Sequence, residues 1–227
     1  MKIPLTKYGW PQVFILPAVV ITVMILLLLA GDNFLSYGSV ILTEMVLAVI
    51  LLFVLAFFRD PDRTSPQDEK ILLAPADGRI TDIEVVQENG FIGGPVLRIG
   101  IFLNIFNAHL NRAPCDVTVE QIEYKKGKYK DARNPMAGKV NESNDLKLVR
   151  TSQPGDKLIV RQISGAIARR IVCKAKTGQR LVSGERFGMI KFGSRTELYL
   201  PFREEAKCMV KVGDKVKAGL SILVRYE

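Results

Sequence analysis

Gly178-Gln-Arg-Leu-Val-Ser-Gly184 and Gly213-Asp-Lys-Val-Lys-Ala-Gly219 are two copies of one pattern, G-x-x-[LV]-x-[SA]-G, and an apolar segment follows each. The pattern reads as a turn, a short strand and a second turn. Working outward, short runs rich in Val and Ile recur between Gly, Pro, Asn and Asp. They are Gly78 to Val86, Val96 to Leu103, Val117 to Tyr124, Leu158 to Ile163, Arg169 to Lys174, Glu197 to Leu200 and Ile222 to Tyr226. Alternation and β-branching at these lengths predict strands. The only helix expected in this part is a short piece around Ile105 to Asn111. The polar stretch Lys125 to Asn144, with Lys125, Lys126, Lys128, Lys130, Arg133 and Lys139, reads as a basic loop. Such a run is commonly a solvated face. Beside a membrane it suits contact with lipid headgroups or cover over a site.

The repeat resembles the hairpins of lipoyl- and biotinyl-carrier domains, which form a barrel-sandwich of strands. No lysine stands where a carrier would need one, so only the fold carries over. The expected fold class is a mainly β, barrel-sandwich-like domain preceded by a transmembrane helical hairpin.

The hairpin comes from the first 58 residues. Val13 to Ala30 is uncharged, and Ser39 to Phe58 is broken only by Glu44. Each approaches the roughly 20 residues that cross a bilayer as a helix. Lys2 and Lys7 precede the first run, Arg59 and Arg63 follow the second, and the short link carries Asp32 and no Lys or Arg. The excess of positive charge at both ends predicts that both ends lie in the cytoplasm, at the inner face of the cell membrane. A cleaved signal peptide is the rival for the first run, and the second run favours the anchor. Residues 59–68, with Asp60-Pro61 and Ser65-Pro66, read as a linker, and 69–227 as the domain that follows it.

The net charge of +9 falls almost wholly after Phe58. Each Lys or Arg near an anionic surface is worth about 1 kcal/mol. No nucleic-acid motif is visible, so lipid rather than nucleic acid is the expected partner. Cys115, Cys173 and Cys208 are odd in number and widely spaced, which argues against disulfides and a zinc site.

Three stretches can carry chemistry: Leu73-Ala-Pro-Ala-Asp-Gly-Arg79, Asn104-Ile-Phe-Asn-Ala-His-Leu-Asn-Arg-Ala-Pro114 and Lys191-Phe-Gly-Ser-Arg-Thr-Glu-Leu-Tyr-Leu-Pro201. With Phe58-Arg-Asp-Pro-Asp-Arg63 and the basic loop, they resemble the short form of phosphatidylserine decarboxylase, from Phe58 onward. The resemblance implies a self-processing proenzyme. The bond between Gly193 and Ser194 is cut, and Ser194 becomes an N-terminal pyruvoyl group, with no metal required. The two fragments stay associated, a homodimer is implied, and phosphatidylserine in the membrane is the substrate.

The residue types suit that chemistry. A serine hydroxyl can attack the preceding carbonyl, and glycine there leaves room for it. The hydroxyl needs a base, since it is a weak nucleophile at its own pKa. β-Elimination of the resulting ester leaves dehydroalanine, which hydrolyses to pyruvoyl and ammonia. The ketone then forms a Schiff base with the lipid amine and takes up the electron pair left by CO2. Without the other motifs, Gly193-Ser194 would be read as a turn before a strand.

His109 is the only histidine, and an unperturbed imidazole titrates near ~6.5. A lone histidine is more often structural, but its motif favours an acid–base role. Longer family members carry a second histidine three residues on, where this chain has Arg112. Either His109 serves both cleavage and decarboxylation, or another group replaces that imidazole. Arg112 itself suits a substrate carboxylate or phosphate. Asp77 matches the family aspartate, whose implied role is to orient the base; a plain Asp-Gly turn is the competing reading. Asn104, Asn107 and Asn111 are not counted in the site. The rival functions are a serine hydrolase, which lacks a G-x-S-x-G elbow, a non-catalytic membrane adaptor, and a decarboxylase of a related serine ether lipid.

Overall fold

The computed structural model describes residues 4–30, 35–134, 137–166, 170–191 and 194–227. Gly193 of the expected cleavage site lies outside the described residues, as do Lys2, the link residues 31–34, Pro135 and Arg169. The chain divides into two compact units, Met1–Pro61 and Asp62–Glu227.

The first unit is a pair of helices, α1 (Gln12–Ala30) and α2 (Tyr37–Phe57). Both are long and apolar enough to cross a membrane. Only Val13 of α1, and Val40 and Phe57 of α2, are buried. A helix that is apolar all round yet not enclosed by protein suits lipid. Ser36 caps α2 by accepting from the Ser39 N–H. Glu44 is half-buried, with one carboxyl oxygen enclosed and lacking a hydrogen-bond partner among the described residues.

Among its described residues the second unit is mainly β, with one short helix, α3 (Ala137–Val140). Its described strands are β1 (Ile71–Leu73), β2 (Gly78–Glu88), β3 (Gly94–Leu103), β4 (Leu110–Arg112), β5 (Val117–Lys125), β6 (Ser143–Arg150), β7 (Lys157–Ile163), β8 (Arg170–Cys173), β9 (Arg180–Leu181), β10 (Arg186–Lys191), β11 (Ser194–Pro201), β12 (Ala206–Cys208), β13 (Lys215–Val216) and β14 (Ile222–Tyr226). An eight-stranded sheet runs β13-β2-β3-β11-β7-β6-β5-β9, flanked by three-stranded sheets β4-β10-β8 and β1-β14-β12. One apolar core joins all three, with Ile99 and Ile101 of β3, Leu198 and Leu200 of β11, Phe187 of β10 and Leu223 of β14.

The two repeats sit at the two edges of the large sheet, β9 in one and β13 in the other. Their glycines 178, 184, 213 and 219 all have positive φ, between 70° and 98°. That region strains any other residue, which is why the pattern needs glycine there. The sheet curls until the second turns of the two repeats touch. A Cβ on Gly219 would lie 3.3 Å from the Gly184 Cα.

The helix expected around Ile105 to Asn111 does not form. The Asn104 side chain accepts from the Phe106 N–H at 2.7 Å, and the Asn107 side chain accepts from the Asn104 N–H at 2.8 Å. Such local bonds give the backbone a turn in place of a helix. The chain then enters β4. The basic stretch is also more ordered than a solvated loop: Asn141 accepts from the Lys130 N–H and donates to the Lys130 and Ser164 carbonyls.

Candidate functional site

β11 lies between β3 and β7, and its side chains alternate between two buried faces. Leu198 and Leu200 face the core. Ser194 and Thr196 continue the same face, which turns polar towards the start of the strand. Ser194 stands opposite Leu103 and is fully buried. Its Oγ has no hydrogen-bond partner among the described residues. A hydroxyl buried without a partner costs on the order of 1–3 kcal/mol, so its retention points to a use other than packing.

A row of buried amides lies beside it. Asn111 of β4 donates to Thr196 Oγ1 at 3.0 Å and to the Pro75 carbonyl at 3.4 Å. Gln162 donates to Asn111 Oδ1 at 2.9 Å, and Asn144 donates to Gln162 Oε1 at 3.0 Å. Thr196, Gln162 and Asn144 are in register across β11, β7 and β6, so their side chains share one face. The row ties β4 to the start of β11.

His109 immediately precedes β4 and is fully buried. Its carbonyl accepts from the Ile190 N–H at 3.2 Å, at the end of β10 that leads in sequence to Ser194. Its Nδ1 is 2.9 Å from the Asn107 carbonyl oxygen. A carbonyl only accepts, so Nδ1 carries the proton and the basic nitrogen of the neutral ring is Nε2. Lys191 ends β10 and is buried. Burial, and then the charge of Arg170, hold its ammonium below the usual lysine range.

Asp77 and Arg112 each reach the seam between the repeats, Asp77 at Ala218 and Arg112 at Gly184. Arg63 grips Asp77 with two parallel bonds, Nη1 to Oδ1 at 2.5 Å and Nη2 to Oδ2 at 2.8 Å. The Ala218 N–H donates to Oδ1 at 2.8 Å, and Arg63 also donates to the Ala218 carbonyl. The Asp77 carboxylate is thus engaged by Arg63 and by the Ala218 N–H. Arg112 donates to the Gly184 carbonyl at 3.0 Å and is 3% exposed. Its N–H bonds the Pro75 carbonyl, which Asn111 also uses. The segment that Asp77 anchors therefore sets the position of β4.

Sequence reasoning left out Asn111, Gln162, Asn144, Arg63 and Arg195. Asn111 stood inside a quoted motif, and its signal was a polar residue alternating with His109. Arg63 and Arg195 also stood inside quoted stretches, where their sequence gave no sign of the partners they reach; nothing local marks Gln162 or Asn144.

At the Ser194 end of the sheet a cavity of ≈ 440 Å³ is lined by Phe102, Asn104, Ile105, Asp131, Ala132, Arg133 and Ala166. Exposed Phe106, Tyr124, Lys125, Lys126, Lys128, Tyr129, Lys130 and Arg133 belong to the segments at this end. Among the described residues no cluster of three or more His, Cys, Asp or Glu is arranged for a metal ion.

Residues 50–224 match the family model described as phosphatidylserine decarboxylase. Three similar curated proteins bear the name phosphatidylserine decarboxylase proenzyme. That of Carboxydothermus hydrogenoformans is 42% identical over 183 residues, covering 81% of this chain and 84% of its own. That of Desulfotalea psychrophila is 45% identical over 171 residues, covering 75% and 78%. That of Geobacter metallireducens is 41% identical over 224 residues, covering 97% and 95%.

Proposed function

We propose, from the premise that the chain belongs to the phosphatidylserine decarboxylase family, that it decarboxylates phosphatidylserine to phosphatidylethanolamine and CO2 after cutting itself between Gly193 and Ser194. The observation that carries this reading is the buried Oγ of Ser194, without a hydrogen-bond partner among the described residues, at the head of a central strand. In the cut, Oγ adds to the Gly193 carbonyl carbon and the peptide C–N bond breaks, giving an ester and a free amine on residue 194. Removal of the α-proton expels the Gly193 carboxylate, and water converts the dehydroalanine to pyruvoyl and ammonia. The pyruvoyl ketone supplies an electrophile for the lipid amine and a sink for the electron pair that CO2 leaves behind.

The chain's own residues do the rest. His109, with Nδ1 fixed by the Asn107 carbonyl, offers Nε2 as base and later as acid. Asp77 acts through position: it anchors the segment whose Pro75 carbonyl holds Asn111 and Arg112. Arg112 is the proposed substrate-binding cation, exchanging its bond to the Gly184 carbonyl for a headgroup oxygen. The cavity beside Asn104 and Arg133 is the proposed way in, with the exposed lysines facing lipid headgroups. The helical hairpin serves as the anchor to the membrane, and the positive charges flanking it support a cytoplasmic catalytic domain.

The fragments have good reason to stay together. The short one would contribute β11 between β3 and β7, β14 beside β1, and β13 beside β2. Separation would strip hydrogen bonds and apolar cover from both pieces.

A denaturing gel with intact mass tests this reading. Two fragments are expected, Met1–Gly193 and a short one with a blocked first residue, and Ser194→Ala is expected to remain whole and inactive. A full-length chain with an ordinary serine at 194, or CO2 release by Ser194→Ala, overturns it.

A further inference from the structure

We infer that Arg195 is a positioning residue for the reaction, pinning the cofactor-bearing end of β11 from the face opposite Ser194. The inference rests on the self-cleavage reading above. It adds a residue for which neither the motifs nor the comparisons give a role.

Arg195 follows Ser194 and is 6% exposed. Strand alternation sends its side chain to the other face of the sheet. There every arm of the guanidinium is used. Nε donates to Glu197 Oε1 at 2.8 Å, and Nη1 donates to Thr81 Oγ1 at 2.8 Å. Nη2 donates to Asp82 Oδ1 at 2.7 Å and Oδ2 at 2.6 Å. The site is built for this guest. The β2–β3 pairing slips between Ile80 and Asp82, and the bulge lets two consecutive residues, Thr81 and Asp82, reach the same group. Gly100 of β3 leaves the space: a Cβ there would lie 2.1 Å from Arg195 Nη2 and 2.5 Å from Asp82 Oδ2.

A buried ion pair is weak evidence for stability, because desolvation offsets much of the attraction. Its better-attested use is to specify one geometry. Here the need is plain. Cutting before residue 194 turns the middle of a chain into a strand end, and ends fray. The first side chain after the cut is the one tied to β2 through Thr81 and Asp82. The bonds fix β11 along its axis while leaving the Ser194 face clear. Burial alone would push the Asp82 carboxyl up, but the bonds and charge of Arg195, the Thr81 hydroxyl and the charge of Arg98 outweigh it. They hold Asp82 below its ordinary value, so the pair is ionised at neutral pH.

The test uses the full-length membrane enzyme and its Arg195→Met, Arg195→Lys and Thr81→Val variants. Activity is expressed per molecule whose short fragment carries the pyruvoyl mass. Arg195→Met is expected to be cut, with kcat lowered at least ~10-fold and KM for phosphatidylserine within about twofold, since a misplacement of about 1 Å costs up to ~100-fold. Arg195→Lys is expected to recover part of the loss, because an ammonium replaces the charge but not the fork. Thr81→Val keeps every charge and is expected to fall between. Wild-type kcat per pyruvoyl in Arg195→Met overturns the inference. Should Arg195→Met not accumulate, wild-type kcat in Thr81→Val overturns it instead. An uncut wild-type chain is a different failure, of the self-cleavage reading beneath it.

Discussion

Replacing Arg63 with Met separates two roles for Asp77. The guanidinium makes two charge-assisted bonds to the carboxylate and one to the Ala218 carbonyl, and the pair's side chains are 8% and 10% exposed. Removing one partner of a buried pair costs about 3–5 kcal/mol, because the other charge is left uncompensated. Asp77 keeps the Ala218 N–H, so the lower end, about 3 kcal/mol, is expected for Arg63→Met. Asp77→Asn keeps that acceptor and loses the charge, with a loss of about 2 kcal/mol. The double variant is expected to cost much less than the sum, leaving a coupling of about 1.5–3 kcal/mol. Urea unfolding followed by far-ultraviolet circular dichroism measures it, in a Ser194→Ala background that keeps the chain in one piece. A coupling under about 0.5 kcal/mol refutes the pairing as a structural tie. The same substitutions with Ser194 intact then report on the cut. If Asp77 acts through the seam, Arg63→Met and Asp77→Asn slow processing alike. If Asp77 serves His109 directly, Arg63→Met frees it and leaves processing intact while Asp77→Asn abolishes it.

Other expectations follow from buried groups elsewhere in the β unit. Gln162→Leu strands the Asn111 side-chain oxygen and the Asn144 side-chain N–H, each worth about 1–3 kcal/mol, so a loss of about 2–6 kcal/mol is expected in denaturant unfolding; a neutral result would dissolve the amide row. Asp82 is held below its usual value in the fold, so its contribution is complete above the unfolded carboxylate pKa near ~4 and vanishes as pH falls through the lower folded value. Acid unfolding should therefore lose part of its steepness below about pH 4 in Asp82→Asn, and an unchanged acid limb would contradict the ion pair. Burial pushes the Cys115 thiol up to about 12, whereas Cys208 is exposed. A thiol reagent at pH 8 should label Cys208 first, Cys173 slowly and Cys115 only on unfolding; mass mapping that finds Cys115 labelled early would show the core open.

The readable parts of the fold share a physical reason. Glycines of the repeat are dictated locally by positive φ, so the pattern locates both edges of the large sheet. Strands such as Gly94–Leu103 and Lys157–Ile163 are apolar enough to show themselves. β6 was not legible. Its first half, Ser143-Asn-Asp145, looks like a turn because Asn144 belongs to a buried amide row and Asp145 pairs with Arg161. β10 was missed as well, since Gly188 and flanking charges break its apolar run. The three motifs were visible because their residues are contiguous. The pairings that support them were not, because Arg195, inside the third motif, and its partner Asp82 lie 113 residues apart in sequence.

β11 shows most sharply what a pattern hides. Ser-Arg-Thr-Glu-Leu-Tyr-Leu alternates, and by the usual rule Arg195, Glu197 and Tyr199 would form a wet outer face. All three are buried. Glu197 accepts from Arg195 and from the Tyr199 hydroxyl, and Arg161 donates to Tyr199 while pairing with Asp145. Gly138 of α3 comes close over Glu197: a Cβ there would lie 3.1 Å from its carboxyl oxygen. The basic stretch itself, through α3, thus comes over a charged face that composition alone assigns to solvent. A strand meant to survive a cut at its own head needs both faces held. Apolar packing holds the inner one from Leu198 onward, but it cannot continue to residue 194 without filling the space where chemistry is proposed. Ionic bonds on the outer face fix the strand up to its first residue and leave that space alone.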